Sequence, residues 1–368
     1  MANFSIAQTE LTDVAEAVKS IKEQLTGVDA CLVLYFVSSS YPVEAVSKEM
    51  AKTFAGVHTV GCTTAGEMIS GKMGQNSIVA MSWSKSSLKY LKVEVLENIK
   101  ESCTQAIDKA FLSFEKSLGI SMKRLDPSRY VGMIMIDGLS GCEEKMNDYL
   151  GNLTNVPFIG GSAGDDFKFQ NTWMLVNGKT YTNAAVFLLM EPKNGYITLK
   201  TQSFNVTDKV LIPTKVDETK RMVIEFNGKP ASQAYAQALN ISMEKLSQTL
   251  GEYPVGLIFD ENNYFVRSPK QIEGTSVSFY CLAKEGLELR LLKPKDIVAT
   301  TEADLKKLGK IQAVVDFNCA QRFDELIRKN QLKDYSNIFA DIPAIGFATY
   351  GENYIGHINQ TSTMLILK

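Results

Sequence analysis

Gly346-Phe347-Ala348-Thr349-Tyr350-Gly351-Glu352, followed by His357-Ile358-Asn359-Gln360-Thr361 and the closing run Met364-Leu365-Ile366-Leu367, decides how this chain is read. Apolar residues of strand length lie on either side of glycines and hydrogen-bonding side chains. That pattern predicts a turn-back between strands at the edge of a core. His357 is one of only 2 histidines in the chain. Imidazole is the side chain that most readily ligates a transition metal or moves a proton near neutral pH. His357 is therefore the first candidate for a specialised chemical group.

Upstream, three more glycine-rich strings follow apolar runs. Residues 31–37 are apolar throughout and read as a central strand, with a helix over 43–54 after Pro42. Residues 57–60 then open onto Gly61-Cys62-Thr63-Thr64-Ala65-Gly66-Glu67. Residues 130–136 form another buried strand ending in Asp137-Gly138, an acid at a strand's carboxyl end where open α/β sheets commonly meet ligands. Gly160-Gly161-Ser162-Ala163-Gly164-Asp165-Asp166 comes next. It lacks the Lys-Ser/Thr of a phosphate loop and the Gly-x-Gly-x-x-Gly register, and its paired aspartates would repel phosphate. Asn177-Gly178 predicts a hairpin between 172–176 and 180–190. No internal repeat is read from the sequence.

Length and charge narrow the function. At 368 residues the chain is long for one core, which predicts two domains. The balance of 39 basic and 41 acidic residues, net -2, offers no electrostatic footprint for nucleic acid. The start of the chain lacks a basic region followed by an apolar core, so no secretory signal is read there. Apolar runs are too short to span a bilayer. Six scattered cysteines without a Cys-x-x-Cys pair argue for reduced thiols. The expected location is the cytoplasm.

The strings together resemble the FIST family of sensory domains. Gly61 to Glu67 is similar to the most specific string of its N-terminal domain, and Asp137-Gly138 with Gly160 to Asp165 continues that pattern. Tyr253-Pro254-Val255-Gly256-Leu257 with Arg267, Phe317-Asn318-Cys319-Ala320-Gln321-Arg322, and the stretch from Gly346 to Thr361 resemble its C-terminal domain. Asn318 and Gln321 depart from a Phe-Ser-Cys-Ala-Gly-Arg string, and both are bulkier. The resemblance implies an α/β protein with two sheet-containing domains, mixed strands and helices packed outside. The expected domains are 1–207 and 208–368. It also implies a non-catalytic signal-input protein that binds a small ligand. Some stand-alone members are haem-based nitric-oxide sensors that regulate a separate histidine kinase or cyclic-di-GMP enzyme of a signalling system. The resemblance makes such a haem-based nitric-oxide sensor the first expectation for this chain, with an amino-acid or other small-molecule sensor without haem as the alternative.

On that resemblance the ligand site is expected from Cys62, Thr63, Thr64, Glu67, Asp137, Gly161, Ser162, Arg322, Tyr350, Glu352, Asn359 and Thr361, with His357 as the metal ligand to haem. His58, Tyr350 and Cys319 are alternative haem ligands. Arg322 carries a planar fork of donors suited to a carboxylate, although pairing with Glu325 reads equally well. A Cys–His enzyme using Cys62 or Cys319 is the competing class, against which stand the scarcity of histidine and the absence of a Gly-x-Ser-x-Gly elbow. A homodimer is left open.

Overall fold

The computed structural model describes residues 2–260 and 263–368. The chain folds as two compact units. One comprises 1–201, 301–357 and 362–368, the other 202–300 and 358–361. The expected cut at 207 gave 301–368 to the second domain, whereas most of that segment packs in the first unit. The reason is strand pairing: Ala344–Thr349 adds antiparallel to Glu67–Ile69, with Phe347 opposite Glu67.

Three sheets build the first unit. One orders Phe4–Thr9, Ile78–Ser84, Ala30–Ser38, His58–Thr64, Met174–Val176 and Lys179–Tyr181. A second orders Glu352–Tyr354, Phe158–Ser162, Val131–Ile136, Ala184–Pro192 and Leu88–Glu97, with His357 at its edge. The third orders Tyr196–Gln202, Thr361–Leu367, Ala313–Cys319, Ala344–Thr349, Glu67–Ile69 and Lys72–Gly74. The mixed α/β class expected from the sequence is what the chain adopts.

Each sheet contains one parallel pair joined through a helix. The pairs are Ala30–Ser38 with His58–Thr64, Val131–Ile136 with Phe158–Ser162, and Ala313–Cys319 with Ala344–Thr349. The connecting helices are Val43–Thr53, Glu143–Leu153 and, with a further short helix, Ala320–Arg328. A threefold structural repeat is therefore present where the sequence showed none. The second strand of each pair carries a glycine facing a carbonyl of the first: Gly61 opposite Tyr35, Gly160 opposite Ile134, Gly346 opposite Asp316. A Cβ at any of them would land well inside the 3.0 Å that real Cβ atoms respect.

Ala30–Ser38 and Val131–Ile136 carry apolar runs because both faces are buried. Leu32, Leu34 and Phe36 enter an inner core with Met133, Met135, Val186, Leu188, Val315 and Leu365, drawn from all three sheets. The alternate residues Val33, Tyr35 and Val37 meet the helices outside, Val18, Ile21 and Met50 among them. The second strand-helix-strand unit repeats the arrangement, with Ile134 and Ile136 under Met146 and Leu150. The Asn177-Gly178 turn forms with both residues at positive φ. Its hairpin is Met174–Val176 with Lys179–Tyr181, and Ala184–Pro192 leaves for another sheet.

The second unit is antiparallel. Phe204–Leu211, Leu289–Pro294, Val255–Asp260 and Asn263–Arg267 form one sheet; Pro213–Asp217, Met222–Phe226, Ser276–Phe279 and Pro269–Glu273 form the path of another. Helix Ala231–Leu239 closes its core with Tyr235 against Phe226. Among the described residues no helix is long and apolar enough to cross a membrane.

Candidate functional site

The carboxyl ends of the three parallel pairs tie together by backbone hydrogen bonds. Gly164 N–H donates to Thr63 O at 3.0 Å, and Asp166 N–H to Thr64 O at 2.9 Å. Ala65 N–H donates to Ala348 O at 3.0 Å, and Ala348 N–H returns to Gly66 O at 2.8 Å. Tyr350 N–H donates to Ser162 O at 3.1 Å, while Ser162 N–H reaches Gly351 O at 2.8 Å. The three glycine strings thus form one closed ring. Side chains are excluded where backbones meet: a Cβ on Gly164 would strike Ala65, and one on Gly138 the Ala163 carbonyl.

Around this ring the predicted residues take distinct places. Glu67 is fully buried, accepting from Thr64 Oγ1, from Ser77 N–H at 3.0 Å and from Ser77 Oγ at 2.8 Å. Burial pushes its carboxyl up to about 8, despite those donors. Asp137 accepts from Leu139 N–H, Asn183 N–H and Thr172 Oγ1, which stitches the end of the second strand pair to both flanks of the Asn177-Gly178 hairpin. Thr63 Oγ1 accepts from Trp173 N–H at 3.0 Å. Gly161 lies against the Thr349 side chain, and Glu352 pairs with Gly161 in the sheet. Tyr350 donates its hydroxyl to Asp165 at 2.5 Å, and that carboxylate also takes the N–H groups of Phe169, Gln170 and Asn171. Burial and this partner push the Tyr350 phenol far above its ordinary range.

Four expected residues stand elsewhere. Arg322 is 2% exposed, with Nε donating to Asn318 Oδ1 at 2.8 Å and Nη2 to Thr301 Oγ1 at 3.1 Å. Asn318, one of the two departures from the family string, is thus what anchors the arginine. Asn359 and Thr361 are buried residues grouped with the second unit. Cys62 is on the ring's strand, but its side chain lies in the inner core beside Val60 and Met174, not at a surface. Burial raises its thiol well above the ordinary value. Under native conditions an alkylating reagent should modify Cys31, the one half-buried cysteine among five buried ones, and spare Cys62. Peptide mass spectrometry after brief labelling checks this. Rapid modification of Cys62 would revive the Cys–His reading.

His357 is packed against Gly351, where a Cβ would collide with Nε2. Its Nδ1 lies 3.1 Å from Glu144 Oε1, and its side chain is 2% exposed. Glu143, which accepts from Ser162 Oγ at 3.1 Å, completes the cluster. An axial haem ligand needs an imidazole nitrogen facing a broad, mostly apolar slot. Backbone on one side and two carboxylates on the other do not fit that role. The donors present are hard oxygens with one imidazole, a set suited to a small cation.

Beside the ring, at the carboxyl ends of Phe4–Thr9 and Ala30–Ser38, a cleft of about 480 Å³ opens between Glu10, Thr12, Ser40, Tyr41, Gln75 and Asn76. Gln75 Nε2 donates to Ala65 O at 3.1 Å, and Ser77 holds Glu67, so the cleft wall is fastened to the Gly61 to Glu67 string. Ser40 Oγ is 2.8 Å from Ser38 Oγ, which donates to Asp166 at 2.9 Å. None of the lining residues was predicted. Asn76, at φ 61, is the one with a local signal, since asparagine tolerates that backbone.

The sequence model of the FIST N domain matches residues 31–229, and that of the FIST C domain matches 231–354. The chain belongs to the FIST family. A protein of Methanocaldococcus jannaschii, named uncharacterized protein MJ1623, is 24% identical over 197 residues, half of this chain and 38% of that protein. FIST domains support a sensory role in binding small ligands.

Proposed function

We propose that this FIST protein is a non-catalytic input module whose ligand is a polar, amine-bearing molecule of amino-acid size, bound in the cleft beside the glycine ring. The cleft itself carries the reading. Its volume of about 480 Å³ falls in the range of small-molecule sites. A carboxylate, two side-chain amides and hydroxyls on its wall suit an ammonium group and a carboxylate on one ligand. Its position at strand ends follows the usual placement of ligands in open α/β sheets. Because the cleft wall and the ring share Gln75 and Ser77, occupancy would be felt at all three sheets. Output then passes to a separate protein, for which a histidine kinase or cyclic-di-GMP enzyme is the partner class.

Thermal melts with a panel of amino acids and amines test it, followed by calorimetry on the best. The expected result is one ligand class that raises the melting temperature and binds at one site. Gln75→Ala together with Tyr41→Phe should weaken it at least tenfold, about 1.4 kcal/mol. Equal affinity in that double variant, or a panel without effect, would remove the cleft from consideration. The narrower haem and nitric-oxide reading has its own arm: a Soret band that weakens in His357→Ala and shifts with the gas would supersede the amine ligand.

A further inference from the structure

We propose that Glu143, Glu144 and His357 form a site for one first-row divalent transition-metal ion, distinct from the cleft. One ligand atom from each residue lies within 4.8 Å of the others. Nδ1 of His357 and Oε1 of Glu144 are 3.1 Å apart, close to the separation of about 3.0 Å for adjacent ligands on an octahedral ion with bonds of about 2.1 Å. Opposite ligands on such an ion are about 4.2 Å apart. A small closure therefore suffices, and Glu144, with a quarter of its side chain exposed, has the freedom to make it.

Charge balance points the same way. Glu143 is 3% exposed and His357 5%. Two carboxylates facing one imidazole leave net negative charge in a largely buried place even when the ring is protonated, which is costly. Both acids lie in the first turn of helix Glu143–Leu153, where the helix dipole offsets only part of that cost. A divalent ion with a neutral imidazole balances the cluster completely. The supporting shell is also in place: Ser162 Oγ donates to Glu143, and Asn147, from the same helix, donates to Asn353 at 2.6 Å and to Glu143 O. Mixed imidazole and carboxylate donors favour manganese, iron, cobalt or zinc over magnesium or calcium.

The inference does not depend on the cleft. The full chain, stripped with chelator, would be titrated with Mn²⁺ by calorimetry and with Co²⁺ by absorption. Expected are one ion per chain, a raised melting temperature, and a cobalt spectrum without thiolate charge-transfer bands. Glu144→Gln should bind at least tenfold more weakly while melting normally without metal, since its side chain is partly exposed. His357→Asn should weaken binding to a similar degree. Absence of saturable binding, thiolate bands, or wild-type affinity in Glu144→Gln would overturn the site.

Discussion

Gly160→Ala should lower the stability of the chain by about 3 kcal/mol or more, against the 1–3 kcal/mol usual for overpacking. The new methyl group would meet the carbonyl carbon and oxygen and the amide nitrogen of Ile134, all backbone atoms, so no side-chain rotation relieves it. Both strands are held in register from Gly132 opposite Phe158 to Ile136 opposite Ser162, and the inner faces of their sheet are packed. Separating them would move Gly161 and Ser162, and with them the ring's bonds to Tyr350 and Gly351. Gly151→Ala, on the exposed end of the neighbouring helix with nothing within 4 Å of the added methyl, should be neutral or stabilising by up to about 1 kcal/mol. Urea unfolding of the two variants and the wild type decides the matter. Equal midpoints would mean that the parallel strands tolerate wider spacing than their packing implies.

The same glycine explains what the sequence disclosed and what it hid. Gly61, Gly160 and Gly346 stood out as members of glycine-rich strings, and the apolar runs before them were legible as buried strands. Their shared role was not. Each string runs seven residues from its glycine, and Thr64, Gly66 and Glu67 have identical counterparts in Thr349, Gly351 and Glu352, but Gly160 to Asp166 shares only the leading glycine with the other two. Phe36, Met135 and Phe317 occupy comparable strands yet share only apolarity, which is all the inner core demands. A repeat held by backbone geometry leaves little trace in residue identity.

The candidate site divides along similar lines. Glu67, Thr64, Ser162 and Tyr350 were expected because polar residues among glycines at strand ends have few structural reasons to be there, and the structure brings them to the ring. Tyr41, Gln75 and Asn76 escaped because they sit in ordinary connecting segments, and only the pairing of Ile78–Ser84 beside Ala30–Ser38 brings them to the cleft. Glu143 and Glu144 read as an ordinary acidic helix start. His357 supplies their meaning from more than 200 positions later, a distance across which spacing carries no information. Arg322 is the opposite case: its donor fork reads equally as a carboxylate binder or an internal anchor, and in the structure Nε and Nη2 reach Asn318 and Thr301.

Glu67→Gln should flatten the pH dependence of stability between pH 5 and 8. The folded carboxyl is raised from 4.5 to about 8, chiefly by desolvation. The folded state therefore holds its proton more tightly than the unfolded state, and folding takes one up across that window. The associated stability is fully present below about 4.5 and is lost as pH rises through about 8, at close to 1.4 kcal/mol per pH unit. From pH 5 to 8 the wild type should lose about 3 kcal/mol relative to the glutamine variant. Other acids, including Asp316, raised to about 6, act in both proteins and cancel in the difference. Ser77 N–H and Oγ donate to Oε2 and Thr64 Oγ1 donates to Oε1, and these donors only partly offset the desolvation. Val37 O, 3.4 Å from Thr64 Oγ1, is an alternative acceptor for that hydroxyl. A glutamine amide can accept from Ser77 through its oxygen and donate to Thr64 Oγ1, whose proton then turns to Val37 O, so the variant should fold and should gain on the wild type in alkali. Urea melts of both proteins at pH 5, 6.5 and 8 provide the check. Parallel curves would show that Glu67 is charged at neutral pH, and the cleft wall behind Ser77 would then carry a buried negative charge instead of a neutral acid poised to lose its proton.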